Sequence, residues 1–518
     1  MPEQTVVEIP GPAGSFLLGS RSEFPSDIPG FLALAREYGP LFQMPVPFGR
    51  YLIATGFDIV DELCDEKRFD KSCAYDLEIA REIAGDGLFT ARTHEPNWRL
   101  AHNILLPCFS GKAIQAFLPQ MEEIARQLVD RWERAADSGE EVDVKADFGR
   151  LSMDTIGLCG FNARFHSFQR PSPHPIVQSL DRLVSELDRR AERGPLLNWV
   201  MFHKQHEWQA EIARLNDAID TLIRERRASG DTAATDLLGQ MLKGVDRDTG
   251  RRLEDLNVRY QIVTFLLAGQ ETTSTLLTNA AYFLLKNPHV LARAAEEADQ
   301  VLGADLEAPV TVQQLARLSY LPMILRESLR LWPPVFKFQV SPTEDTVVGG
   351  RYRVRQGETV MVLTPGLHRD PAIWGPDPER FDPARFAPEA EAKRPPNAYK
   401  PFGNGQRSCI GRQFAMQEAT LALAMVVQRF RLIDFADYPF RLHGLSTVPA
   451  GFTIKLERRL PSTRVGHSHR TGLLVLYGSN MGASEELARR IGHDGLGLGF
   501  DARVAPMDEY AGRLPTEG

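Results

Sequence analysis

The ten residues Phe402-Gly403-Asn404-Gly405-Gln406-Arg407-Ser408-Cys409-Ile410-Gly411 constrain this chain more than any other stretch. They follow a proline-rich segment of little periodicity, 370–401, and precede an apolar run with helical spacing, 412–430. A cysteine just ahead of a helix faces backbone N–H groups and the positive end of the helix dipole. Both favour the thiolate, the form that ligates a metal. Gly405 and Gly411 remove side chains where a flat ligand would approach the backbone. Arg407 can meet a carboxylate, and Phe402 can pack beside the sulfur and tune it. The remaining cysteines, Cys64, Cys73, Cys108 and Cys159, lack such surroundings and read as small buried apolar residues without disulfide spacing.

The chain around this loop is mainly helical. Apolar residues recur at three- and four-residue intervals over 114–135, 177–193, 207–227, 258–285 and 318–331, the last stopped by Pro333-Pro334. Strand-like runs occur at 41–43 and 51–54. The stretch 346–363 alternates around Gly349-Gly350 and reads as antiparallel strands, and 452–456 reads as a closing strand. The fold class is therefore mainly α with a smaller β-rich lobe. A polar linker, 458–470, leads to an apolar strand at 473–477, a loop of small and hydroxyl residues (Ser479, Asn480, Met481, Gly482, Ala483) and a helix over 484–491. Strand, loop, helix is an anion-binding arrangement, and a generic βα turn is its plainer reading.

Composition excludes some functions. The 518 residues carry 60 Lys and Arg against 68 Asp and Glu, a net charge of −8, which gives no electrostatic reason for a nucleic-acid partner. No apolar run is long enough to span a membrane, the N-terminus lacks the pattern of a signal peptide, and a cytoplasmic location is expected.

Two further motifs sit on helices. Ala268-Gly269-Gln270-Glu271-Thr272-Thr273 lies within an apolar helix, where acid and hydroxyl side chains need partners or a function. Glu327-Ser328-Leu329-Arg330 puts a carboxylate and a guanidinium on one helix face. Trp98 and His102 also share a helix face, at a spacing that a core Trp with a satisfied His would equally produce.

The cysteine loop matches the heme signature Phe-x-x-Gly-x-Arg-x-Cys-x-Gly at every position, and the chain resembles the cytochrome P-450 superfamily. Ala84–Thr90, His102–Pro107 and Lys400–Cys409 narrow the resemblance to self-sufficient fatty-acid hydroxylases, in which such a domain is fused to a reductase bearing FMN and FAD. The resemblance covers residues 8–518. It implies the P-450 prism fold over 1–457, a linker over 458–470, and over 471–518 a βαβ fragment of a flavodoxin-like domain that carries the FMN phosphate loop 479–483. It makes Cys409 the axial ligand of heme iron. Phe402, Gly405, Arg407, Gly411, Trp98, His102, Ala268 and Gly269 become heme contacts. Thr272 would hold water and dioxygen, and Glu271 would feed protons. Glu327, Arg330 and Arg385, the last from a Pro-x-Arg-Phe segment, become a structural network.

The substrate pocket is expected to include Tyr51, Phe89 and Val335. Tyr51 matches an anchor for a fatty-acid carboxylate, but its basic partner is Pro47 here, with Arg50 adjacent. Val335 and Phe336 are bulkier than their counterparts and should narrow access to the iron, and Gln270 stands in place of a histidine. The implied reaction is subterminal hydroxylation of a medium- to long-chain fatty acid by dioxygen, with NADPH electrons relayed by FAD and FMN in the intact fusion. This chain alone, ending at Gly518, is expected to hold heme but not FMN, FAD or NADPH stably. The resemblance also implies a homodimer for the intact form. Rival readings are a peroxide-driven peroxygenase, a monooxygenase of a neutral hydrophobic substrate, a heme sensor, and an electron-transfer flavoprotein. The Glu271-Thr272 pair and the flavodoxin-like fragment speak against the peroxygenase.

Overall fold

The computed structural model describes residues 7–14, 25, 27–46, 49–230, 236–433, 438, 440–443, 446–459, 472–478, 484, 487–488, 491–492 and 500–510. Pro47, the FMN-loop residues 479–483 and half of the helix expected at 484–491 lie outside them.

A five-stranded sheet gathers distant parts of the chain in the order β1 (Leu41–Val46), β2 (Gly49–Ala54), β7 (Val360–Leu363), β4 (Lys337–Pro342), β3 (Phe69–Lys71). The stretch expected to form antiparallel strands instead divides between two sheets. Strands β5 (Thr346–Val348) and β6 (Tyr352–Val354) make a separate hairpin, in which Gly349 and Gly350 take φ of +59° and +65°. Two consecutive left-handed residues match the twist of a tight hairpin. Strand β7 leaves that hairpin and runs parallel to β2 and antiparallel to β4, because all four of its side chains are buried and require cover on both faces.

The helices form the larger body. They include α1 (Pro96–Leu105), α2 (Leu118–Ser138), α3 (Val144–Phe161), α4 (Pro175–Val200), α5 (Phe202–Ala228), α6 (Asp255–Lys286), α7 (Tyr320–Leu331) and α8 (Arg412–Arg429). The helix expected over 114–135 is broken at Phe117, since Pro119 can occupy only the first turn of α2 and not the middle of a longer helix. The 32-residue α6 crosses the core and packs on α3, where Gly269 earns its place: a Cβ there would lie 3.1–3.3 Å from Ile156. Among the described residues no helix is long and apolar enough to cross a membrane.

The irregular segment between β7 and α8 is tied to α7 by a buried ion pair. Glu327 and Arg330, three residues apart on α7, have fully buried side chains joined at 2.7 and 2.8 Å. Arg330 also donates to the carbonyls of His368 (2.9 Å), Pro378 (2.7 Å) and Arg380 (3.1 Å). Glu327 accepts from the Asp382 N–H at 2.8 Å and lies 3.7 Å from Arg385 Nε. Burial pushes the Glu327 carboxyl up, opposed by Arg330. His368, fully buried, accepts the Lys400 N–H on Nε2 at 2.9 Å, which carries the network to the start of the cysteine loop. Burial and the neighbouring Arg330 pull its pKa down to about 3, so the ring is neutral.

At the other end, β8 (Thr453–Arg458) runs one residue past the expected domain boundary. Arg459 is fixed as well: its N–H donates to the Arg429 carbonyl at 2.7 Å and its guanidinium grips Asp299 at 2.6 and 2.8 Å. Both residues are therefore held by the helical body. Farther on, β9 (Gly472–Tyr477) and β10 (Asp501–Pro506) pair in parallel, the pairing a βαβ crossover produces.

One buried carboxyl has no cation. Glu418 on α8 faces the hydroxyls of Ser152 and Thr155 on α3, yet none of the three completes a well-aligned hydrogen bond. Burial raises its pKa from 4.5 to about 8. A folded-state value above the unfolded one means the native chain holds a proton that the unfolded chain has released, so this group's contribution is intact below pH 4.5 and is lost as pH rises toward about 8. Glu418→Gln, which mimics the protonated form, should raise stability by roughly 2–4 kcal/mol at pH 7.5. The gain should shrink toward pH 5, as urea unfolding at the two pH values would show. Arg330→Ala should cost at least about 3–5 kcal/mol, because it leaves Glu327 buried without its cation; the same unfolding curves report it.

Candidate functional site

Most side chains of α6 are buried, but the run between Leu266 and Thr273 is not: Ala268 is exposed and Gly269–Thr272 are half-buried. Exposure in the middle of a core helix means that this turn borders an internal space. Thr272 donates its hydroxyl to the Ala268 carbonyl at 2.7 Å, which fixes the hydroxyl on that turn. Of the two small residues expected to contact heme there, Ala268 is exposed, while Gly269 packs against Ile156.

The cysteine loop reaches the same region through the segment 88–93. Arg407 donates to the carbonyls of Ala91 (2.7 Å) and Leu88 (3.1 Å) and to Thr93 Oγ1 (3.3 Å), and the Leu88 N–H donates to Gln261 of α6 at 3.0 Å. Phe89, in the same segment, is 45% exposed, unusual for a large apolar side chain flanked by the buried Gly87 and Thr90. The Cys409 N–H donates to the Phe402 carbonyl at 2.8 Å, closing the loop. Phe402 is half-buried, with the Arg412 guanidinium 5.7 Å from its ring. A cavity of about 430 Å³ borders the loop and is lined by Phe402, Gly403 and Cys409 among others.

The glycines of the loop divide in purpose. Gly405 has φ of +57°, and a Cβ on it would lie 2.1 Å from Glu66, whose carboxylate accepts the Gln406 N–H at 2.7 Å. Backbone conformation and Glu66 each require glycine here. At Gly411 a Cβ would sit 3.9 Å from Cys409 Sγ, so glycine keeps the space beside the sulfur clear.

The electrostatics of the sulfur differ from the sequence expectation. Cys409 is exposed, but protein atoms surround it closely, and this burial pushes the thiol up. The Gly411 N–H and the Arg412 charge pull the other way and do not win. The helix end alone therefore does not favour the thiolate; a cation bound to the sulfur is what would.

Two cations gather nearby without carboxylate partners within ion-pair distance among the described residues. Arg407 lies over the Trp98 ring, 4.5 Å from its centroid, and burial lowers its pKa to about 10. Lys71, which sequence reading missed, donates to the Phe89 carbonyl and lies 4.8 Å from that ring's centroid. Burial, then Arg407, pulls Lys71 down to about 7. His102 stacks on Trp98 at 5.3 Å and is pulled down by burial and by Arg99 and Arg407. An accessible thiol, a helix turn open to the interior and two cations lacking anions form a donor set that fits an iron macrocycle bearing carboxylates.

The remaining expected residues are dispersed. Tyr51 pairs with Met44 in the sheet and is half-buried, as is Val335 ahead of β4. Arg50 is fully engaged: Nε and Nη2 reach Glu358 at 3.0 and 2.8 Å, and Nη1 reaches Gln43 at 2.8 Å. Glu271 meets another residue that the sequence did not single out, Lys145, at 3.0 Å. Neither lysine sits in a motif, so only the fold reveals it.

The family model described as Cytochrome P-450 matches residues 10–456. A bifunctional cytochrome P-450/NADPH–P-450 reductase of Bacillus cereus is 43% identical over 100% of this chain and 51% of the relative. A second such protein, of Bacillus subtilis, is 44% identical over 94% of the chain and 47% of the relative. A self-sufficient cytochrome P-450 monooxygenase of Aspergillus niger is 36% identical over 98% and 51%. The chain thus spans about half the length of the curated relatives it matches. With a family model covering the whole helical and β-lobe region, the chain belongs to the cytochrome P-450 family.

Proposed function

We propose that this chain is the heme-thiolate monooxygenase module of a self-sufficient fusion, in which Cys409 would hold the heme iron through its thiolate. The observation that carries the reading is the pairing of one accessible cysteine with a polar turn, Glu271-Thr272, opened in an otherwise buried core helix. Heme, when bound there, supplies the activation of dioxygen. The protein's own residues do the rest. Arg407, Lys71, Trp98 and His102 take up the propionate side, and Gly411 keeps the sulfur's flank free. Thr272 holds a proton at Oγ1 beside the open turn, and Glu271 supplies protons to it. Phe89 and Val335 shape the apolar approach. Electrons come from NADPH through FAD and FMN carried by a reductase in cis, and the Bacillus cereus relative's name describes a cytochrome P-450 joined to an NADPH–P-450 reductase. A cytoplasmic location and a homodimer of the intact fusion belong to the same proposal.

The substrate class is a medium- to long-chain fatty acid oxidised near its methyl end. A second reading, a neutral hydrophobic substrate, is favoured by one observation. Arg50, the cation beside Tyr51, is held by Glu358 and Gln43, and a carboxylate would have to displace that pair to use it. Titrating the ferric heme-loaded protein with fatty acids of graded length separates the two. A saturable low- to high-spin shift that depends on length supports the acid, and a shift only with the matching alcohols or alkanes supports the neutral class. Cys409→Ser should abolish the thiolate band of the reduced carbonyl complex, and its persistence would remove Cys409 as ligand. Thr272→Ala should lower product formed per NADPH several-fold in the intact fusion while NADPH consumption continues.

A further inference from the structure

Lys145 stands in the first turn of α3. Its Nζ lies 3.0 Å from Glu271 Oε1, 2.9 Å from Ser274 Oγ, 2.9 Å from Thr275 Oγ1 and 3.4 Å from the Glu271 carbonyl. An ammonium has three N–H donors. The three shortest contacts use all of them, and every acceptor belongs to one turn of α6. Thr275 adds a 3.4 Å contact to the same Glu271 oxygen. The preceding residue, Gln270, faces Asp181 on α4. Of the two side chains just before Thr272, Glu271 is tied to α3 and Gln270 faces α4.

Successive side chains on a helix diverge by about 100°. A carboxylate held by Lys145 and by Thr275 one turn on is directed toward α3, while the Thr272 hydroxyl is engaged with Ala268 on the open turn. The rest of the α3–α6 contact is built from apolar packing such as Ile156 against Gly269. A lysine inside it carries a desolvation cost that an apolar residue would not. Burial lowers the Lys145 pKa, with Glu271 and Asp143 opposing. The charged groups facing this pair are Asp143 at the start of α3 and Asp181 on α4, whose own carboxyl is raised by burial and by Glu271.

We propose that Lys145 is a positioning residue that latches the Glu271 carboxylate on the α3 side of α6, so that Glu271 exchanges a proton with the Thr272 turn only when this ion pair opens. The proposal rests on the monooxygenase reading above and assigns Lys145 no proton of its own to give. Glu271 releases its proton toward Thr272 and regains one from solvent, while Lys145 stays an ammonium throughout. The latch meters proton entry, and an unlatched Glu271 delivers protons out of step, diverting reducing equivalents from product to hydrogen peroxide.

The test is a double-mutant cycle in the intact heme- and flavin-loaded fusion, using Lys145→Met, Glu271→Gln and their combination, with Lys145→Arg as the conservative variant. Two readouts are taken: thermal unfolding, and the share of NADPH electrons recovered as peroxide. Lys145→Met should raise the peroxide share several-fold when Glu271 is present and leave it unchanged in the Glu271→Gln background. Lys145→Arg should restore the parent value, and the melting shifts should be non-additive. An equal rise in both backgrounds, no rise in either, failure of the arginine to rescue, or additive melting shifts would overturn it. A parent fusion that yields no oxygenated product from any substrate tried removes the monooxygenase reading and the proposal together. The melting cycle still reports whether the ion pair exists, so the two failures are distinguishable.

Discussion

A fully buried glutamate and arginine on one helix organise a segment that has no ladder of its own. Backbone N–H and C=O groups inside a protein must find partners, and the stretch between β7 and α8 forms only short helical turns. Arg330 answers this with a planar fork of donors spread over three carbonyls, while Glu327 neutralises it and accepts the Asp382 N–H. A lysine would offer fewer donors without the fork. The cation–π contact of Arg330 over Trp374, 5.1 Å to its centroid, adds apolar cover to the same charge. From here His368 passes the order to Lys400, and Lys400 begins the loop that ends at Cys409. The placement of the sulfur is thus set from a helix far from it in sequence.

The same loop shows why a cofactor site can look unfavourable by itself. The thiol is pushed up by its surroundings, and Arg407 and Lys71 are pushed down. In each case the charged form is the one that the protein alone disfavours. A positive iron beside the sulfur and anionic propionates beside the two cations would reverse all three shifts at once. The unfavourable charges are mutually consistent, and they describe the ligand by its complement.

Much of the helical domain was legible in the sequence because its signals are local. The apolar periodicity of 258–285 became Asp255–Lys286, and Glu327, Arg330 and Arg385 converge in space. What remained hidden depends on contacts between distant residues. Nothing near Gly405 announces Glu66, and nothing near Gly269 announces Ile156, so both glycines read as making room for a ligand. Nothing near Val360 indicates that its strand would join β2 in parallel, away from the adjacent hairpin. Lys145 and Lys71 are ordinary lysines until the fold brings Glu271 and Arg407 to them.

The closure at Arg459 has a mechanical consequence. Its amide is bonded to Arg429, the last residue of α8, and α8 begins three residues after Cys409. Asp299 clamps the guanidinium on the other side. Any tension or swing arriving along the chain beyond this point is therefore borne by a fixed pivot at the foot of α8. The cysteine at the head of that helix is thereby separated from such a load by the full length of α8.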